Sequence, residues 1–204
     1  MSQITEIKTV KGKKARKSIY IDDSFACSLD EFTVFKARLV VGQEIDLQEL
    51  EKLVTESETA SAFEKAVDLI SRTPKTRKQV YDNLRQKGYL PNVCNAVLDK
   101  LESYHYLDDE QYVRMFIETY KNKYGKKKID FLLAQKGIEA QIVEQYLADM
   151  DSQSDAVLQF AQKYMQNKGR EAKDYEKLCR YLASKGFSWE DINSAVSAIK
   201  REEE

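Results

Sequence analysis

The sequence predicts an all-α fold, three tandem three-helix repeats in an elongated array, preceded by a small N-terminal β meander and short helices. Three observations carry that prediction. The 204 residues hold only 2 prolines and 7 glycines, so the strongest breakers of regular structure are rare. The stretches "LRQKG" ending at Gly88, "LLAQKG" ending at Gly137 and "YLASKG" ending at Gly186 recur with a constant step of 49 residues. Apolar residues keep the same step: Val67, Phe116 and Met165 on the first helix of each unit, Val80, Ile129 and Leu178 on the second, Leu101, Met150 and Ile199 on the third. One short helix cannot bury its apolar face alone, whereas three enclose a small core and stack on their neighbours.

Taken in order, residues 1–58 form the N-terminal part. "ITEIKTV", "KSIYID" and "SFACSL" alternate apolar and polar residues and are separated by a Gly/Lys turn and by "DDS", which reads as an antiparallel meander leaning on a helix. "LDEFTVFKARLV" is a short helix capped by Asp30, with Leu29 and Val34 placed to staple its start, and a second helix begins near Asp46. The first repeat, 59–106, has helices over 60–72, 76–87 and 91–103. The second, 107–150, has them over 109–121, 126–136 and 139–149, and the third, 151–204, over 153–168, 172–185 and 189–199. Thr76 with Gln79, Asp108 with Gln111, and Ser188 with Asp191 have capping spacings, and Leu107 is placed to staple Tyr112. Each Lys-Gly pair ends a helix, the lysine near the negative end of the dipole and the glycine in the left-handed region.

No run of about 18 apolar residues exists, and the opening "MSQITEIKTVKGKKARKS" lacks the apolar core of a signal peptide, so a cytoplasmic location and no membrane contact are expected. Cys27, Cys94 and Cys179 are too few and too scattered for a disulfide framework, and a single histidine leaves too few ligands for structural zinc. The net charge of −1 removes a general attraction to nucleic acid, so such a partner must be met by a local face.

Nothing in the sequence asks for catalysis. Asp108-Asp109-Glu110 sits where a helix start favours negative charge, His105 lies in a helix connection, and no Gly-rich phosphate loop is present. No cofactor is expected. The informative constellation is "YKNKYGKKKIDFLLAQKG", where Lys121, Lys123, Lys126, Lys127 and Lys128 interleave with Tyr120 and Tyr124. Such a patch neutralises phosphates or meets an acidic protein surface, and an ordinary solvated face is the bland alternative. Arg72, Lys75, Arg77 and Lys78 occupy the comparable junction of the first repeat, and Lys168 and Arg170 that of the third, which would set a basic stripe along one side of the array. Tyr112, Phe116, Phe131 and Phe160 are expected in the core, and Trp189 to pack over the end of the last repeat.

Residues 106–138, "YLDDEQYVRMFIETYKNKYGKKKIDFLLAQKGI", resemble the RecX family of recombination regulators. Leu107-Asp108-Asp109-Glu110 match the family's first motif. Gly125, Lys127, Lys128, Ile129, Leu133, Lys136, Gly137 and Ile138 match its second, and Arg72, Arg77, Leu84, Lys87 and Gly88 fall in register with the element before them. Tyr112-Val113 replaces the usual Phe-Ala pair, and Tyr120 stands where an arginine is usual. The resemblance implies a non-enzymatic protein that binds the RecA recombinase and its single-stranded-DNA filament and restrains its ATPase and strand exchange. This reading allows weak direct contact with single- or double-stranded DNA, and a monomer is expected. The residues above would be the filament or DNA contacts. The rival readings are an independent DNA-binding helical module and a helical adaptor for an unrelated protein.

Overall fold

The structure, a computed structural model, describes residues 2–11, 15–150, 153–169 and 171–201. The chain divides into two compact units, Met1–Lys75 with Val80–Leu107, and Thr76–Gln79 with Asp108–Glu204.

The first unit begins with strands β1 (Ser2–Thr9), β2 (Arg16–Ile21) and β3 (Ser24–Asp30), the expected meander. A fourth strand, β4 (Glu44–Ile45), completes an antiparallel sheet in the order β3-β2-β1-β4. Two residues carry no alternation, so β4 has no signature in the sequence. Asp22 and Asp23 both take positive φ, 47° and 66°, in the two-residue loop between the paired Ile21 and Ser24, where aspartate tolerates the left-handed region that a twisted hairpin needs. Asp30 then caps α1 (Glu31–Lys36), its carboxylate accepting from Thr33 N at 2.9 Å.

The expected helix from Asp46 and the expected helix 60–72 are one: α2 runs unbroken over Leu47–Arg72. The polar stretch "TESETASA" stays helical because its hydroxyls bond back one turn, Thr55 Oγ1 to Glu51 O at 2.9 Å and Thr59 Oγ1 to Thr55 O at 2.7 Å. Ser57, fully buried, accepts from Asp30 N at 2.7 Å and ties the end of β3 to α2. One helix therefore serves two cores. Its first half packs with Ile4, Ile19, Leu29 and Ile45 from the sheet. Its second half, through Ala62 and Ala66, packs with α3 (Arg77–Gln86) and α4 (Pro91–Ser103) by way of Val80, Leu84, Val97, Leu98 and Leu101.

The second unit holds two further triplets: α5 (Asp109–Tyr120), α6 (Lys126–Gln135) and α7 (Ala140–Ala148), then α8 (Ser154–Met165), α9 (Ala172–Ser184) and α10 (Trp189–Arg201). Phe116, Ile129, Leu133 and Val143 fill the core of the first triplet. Met165, Leu178, Leu182, Ile192 and Ile199 fill that of the second. The fold is thus mostly helical, three three-helix groups after a β meander. Among the described residues no helix is long and apolar enough to cross a membrane.

Two residues expected to pack do not. Phe131 is 52% exposed, because Ile129 and Leu133 on either side of it take the inward face of α6, and a residue two positions from each points away. Trp189 is 62% exposed at the first position of α10, where Phe187 and Ile192 close the core instead. Leu107 is buried in the first helical core, and Tyr112 packs with Phe116 in that of the second triplet.

Candidate functional site

The second-helix starts are built for contact with another turn. Thr76 and Gln79 form the expected reciprocal cap, Thr76 N donating to Gln79 Oε1 and Gln79 N to Thr76 Oγ1, both at 3.2 Å. The same Thr76 hydroxyl donates to Lys136 O at 2.7 Å, at the end of α6. Forty-nine residues on, Gly125 N donates to Lys185 O at 2.9 Å and Lys127 N to Gly186 O at 3.2 Å, at the end of α9. The next amides also correspond. Arg77 N donates to the Asp109 carboxylate at 2.8 Å and Lys126 N to Gln153 Oε1 at 3.1 Å. The start of one second helix thus docks on the Lys-Gly end of another, donors against open carbonyls and positive dipole end against negative.

The glycines make this approach possible. Gly137 and Gly186 lie at φ 77° and 87°, and a side chain on Gly186 would overlap the backbone of Lys128. A Cβ on Gly125 would overlap the Gly186 carbonyl. The lysines beside them are held over rings, Lys136 at 5.8 Å from Tyr112 and 5.7 Å from Phe116, Lys185 at 5.4 Å from Tyr124 and 5.7 Å from both Phe160 and Tyr181.

Against this frame the basic candidates separate. Lys126, Lys127 and Lys128 form the first turn of α6, and Arg77 and Lys78 the first turn of α3; neither helix has an acidic residue there. Cations at the positive end of a helix are unfavourable, and the amides of Lys126 and Lys127 are already committed, so any anion must be met by side chains. Lys75, Lys126 and Lys127 have no ion-pair partner among the described residues. Arg72 is neutralised locally by Asp68, at 3.0 and 2.8 Å, and Lys121 by Glu118 at 2.7 Å. Lys123 lies over Tyr120, Lys128 over Phe131 and Lys168 over Tyr164. Arg72 and Lys75 belong to the first unit and the other described candidates to the second; Arg170 lies outside the described residues.

Tyr120 and Tyr124 are not open stacking platforms. They stack on one another at 5.7 Å, Tyr120 meets Phe116 at 4.5 Å, and Lys123 and Lys185 cover their rings. Gln153, which the sequence reading passed over, fixes this region. It is buried, and its Nε2 donates to Lys121 O at 2.7 Å and Tyr124 O at 2.9 Å while its Oε1 receives Lys126 N. A glutamine before a helix gives no signal of such a reach. Thr76 and Gly125, like Arg77 and Lys126, stand 49 residues apart, a correspondence that gains its meaning as a joint only from the structure.

The acidic triplet is structural. Asp108 caps α5 through Gln111 N at 2.9 Å, Asp109 receives Arg77 N, and Glu110 receives the Tyr146 hydroxyl at 2.7 Å. Burial pushes the Cys27 and Cys94 thiols above their usual range, away from nucleophilic use. Among the described residues no group of His, Cys, Asp and Glu is placed to hold a metal ion.

A β meander followed by helical triplets joined through repeated end-to-end contacts, with basic first turns at the joints, defines a tandem helical-repeat protein. The comparisons narrow that class. Residues 2–46 match the model of the regulatory protein RecX N-terminal domain, and 62–101, 108–147 and 151–196 match the first, second and third three-helix domains of RecX. The regulatory protein RecX of Clostridium tetani is 34% identical over 98% of this chain and 95% of its own length. That of Clostridium perfringens is 29% identical over 100% and 99%. A crystal structure of regulatory protein RecX aligns with TM-score 0.69 over 99% of this chain and all of that one, at 24% identity. RecX from Lactobacillus salivarius aligns at 0.66 over 70% of this chain and 97% of its own, at 23% identity, so both likenesses speak to fold. The chain belongs to the RecX family of regulatory proteins.

Proposed function

We propose that this chain is a non-enzymatic regulator that binds the RecA recombinase and its single-stranded-DNA filament and inhibits filament ATPase and strand exchange. Family membership supports the regulatory role. The observation that carries the contact surface is the all-lysine first turn of α6, kept against its own helix dipole and with Lys126 and Lys127 unpaired among the described residues. Sequences break local rules of this kind where a partner requires it. Lys126, Lys127 and Lys128, with Lys121 and Lys123 on the preceding turn, face the anionic filament. Arg77, Lys78, Arg72, Lys75, Lys168 and Arg170 are the flanking contacts. Linked repeats let several weak contacts act together by effective concentration.

The test is reversal of Lys126, Lys127 and Lys128 to glutamate. Filament affinity should fall and its salt dependence flatten. Thermal stability should hold or rise, because each acidic residue in a helix's first turn stabilises by about 0.3–1 kcal/mol. A folded triple variant with unchanged filament affinity rejects this surface.

A further inference from the structure

The Lys-Gly turn occurs three times, and two copies are occupied. In all three the turn closes alike. Gly88 N bonds Arg85 O and Tyr89 N bonds Leu84 O; Gly137 N bonds Ala134 O and Ile138 N bonds Leu133 O; Gly186 N bonds Ala183 O and Phe187 N bonds Leu182 O. The three glycines share positive φ, 91°, 77° and 87°. Gly137 and Gly186 are covered by the starts of α3 and α6, and their lysines are half-buried under rings. Lys87 and Gly88 are exposed, and a Cβ on Gly88 would meet nothing within 4 Å among the described residues. The carbonyl end of α3 is therefore a third socket of the same shape with its face open.

A second, independent feature marks the same turn. Leu90 is the N-cap of α4, makes no side-chain cap bond and is 57% exposed. Leucine is among the poorest N-cap residues, and in the other repeats this place is held by Glu139 and Ser188. An apolar side chain standing in solvent at a position that favours a polar one points to contact with a protein rather than with phosphates.

We propose that the turn Lys87–Leu90 is a docking socket for the N-terminal turn of an α-helix on the recombinase subunit. That helix would be opened by a glycine, serine or threonine, with an apolar residue beside it to cover Leu90. The proposal rests on the RecA reading above; the occupant's chemistry is that of Thr76 and Gly125 in the two filled joints. A second copy of this chain is a poor occupant. The helix in register for the role, α9, opens on Glu171, whose carboxylate cannot donate to the socket's carbonyls as the Thr76 hydroxyl does, and its first turn is acidic.

Two variants test the socket without touching the lysine surface. Gly88→Asn keeps a residue tolerant of positive φ but fills the socket; Gly42→Asn is its control, since Gly42 has the same φ of 91° and equally open surroundings. Leu90→Ser supplies a good N-cap while removing the apolar contact. Binding is read on RecA filaments assembled on single-stranded DNA and on the bare DNA. The proposal expects filament affinity about tenfold weaker or more for Gly88→Asn and Leu90→Ser, near-native affinity for Gly42→Asn, unchanged binding to bare DNA, and a higher melting temperature for Leu90→Ser. Native filament affinity in both socket variants, or equal loss in Gly42→Asn and Gly88→Asn, overturns it while the RecA reading stands. Parallel loss on bare DNA makes the occupant nucleic acid and also overturns it. A wild-type chain that ignores the filament removes the RecA reading and this proposal with it.

Discussion

Three hydrogen bonds converge on Gln153, and together they hold both ends of the Lys121–Lys126 turn. Gln153→Ala leaves two carbonyls and one amide without partners in a half-buried place, which should cost about 1–3 kcal/mol. Urea unfolding checks the cost, and faster hydrogen exchange at the Lys126 amide shows where it falls. Gly125→Ala is a cleaner probe of the joint, because Gly125 has ordinary φ of −74° and only the collision with Gly186 opposes a methyl group. It should lose about 1–3 kcal/mol in the same measurement. Asp30 gives a pH signature. Burial raises its pKa, but the hydrogen bonds from Thr33 and Ser57 outweigh burial and hold the carboxyl below its ordinary 3.8. A folded pKa below the unfolded one means the stabilisation is fully present above pH 3.8 and is lost as pH falls through the folded value. Asp30→Ala should lower stability by about 1 kcal/mol at neutral pH and flatten this acid limb, as melts between pH 2 and pH 6 would show. Cap residues of this kind were legible in the sequence because the cap and its target lie three positions apart. Gln153 was not, since its partners are set by the packing of one triplet on another.

At the scale of elements, helix ends were read more accurately than helix continuity. Lys-Gly pairs, Thr73-Pro74 and the Ser188–Asp191 pairing mark stops and starts by local chemistry, and Asp191 N does donate to Ser188 Oγ at 3.0 Å. The middle of α2 misled because serine and threonine favour turns when their hydroxyls bond nearby backbone; here those bonds run to carbonyls one turn back and keep the helix. Ala60→Pro distinguishes the two pictures. Proline is tolerated at a helix's first position, which 60 would be if a new helix began there, whereas inside one continuous helix it costs about 3 kcal/mol or more. The structure predicts the larger loss in a urea melt. Hydrogen exchange should accelerate in β3 as well as in α4, because the sheet and the first helical core share that helix. The exposed Phe131 and Trp189 show the same limit: helical periodicity names the inward face, but an aromatic residue off that face reads as core by composition alone.

For the whole molecule, the repeat was visible as a period, but its meaning as a set of joints was not. The Lys-Gly pair reads locally as a helix stop, and only the spatial meeting of Thr76 with Lys136 and of Gly125 with Lys185 makes it a socket. The basic clusters were legible as composition, and the structure sorts them by what each charge already faces. The proposed regulator would bind by matching several points on an ordered filament, so its affinity should depend on the filament and not on DNA charge alone. The direct test is fluorescence anisotropy with labelled single-stranded DNA, bare or coated with ATP-stabilised RecA, at two salt concentrations. Much tighter binding to the coated strand, persisting at the higher salt, is the predicted result. Equal affinity for both strands, falling together as salt rises, would contradict it and leave a general DNA-binding module in its place.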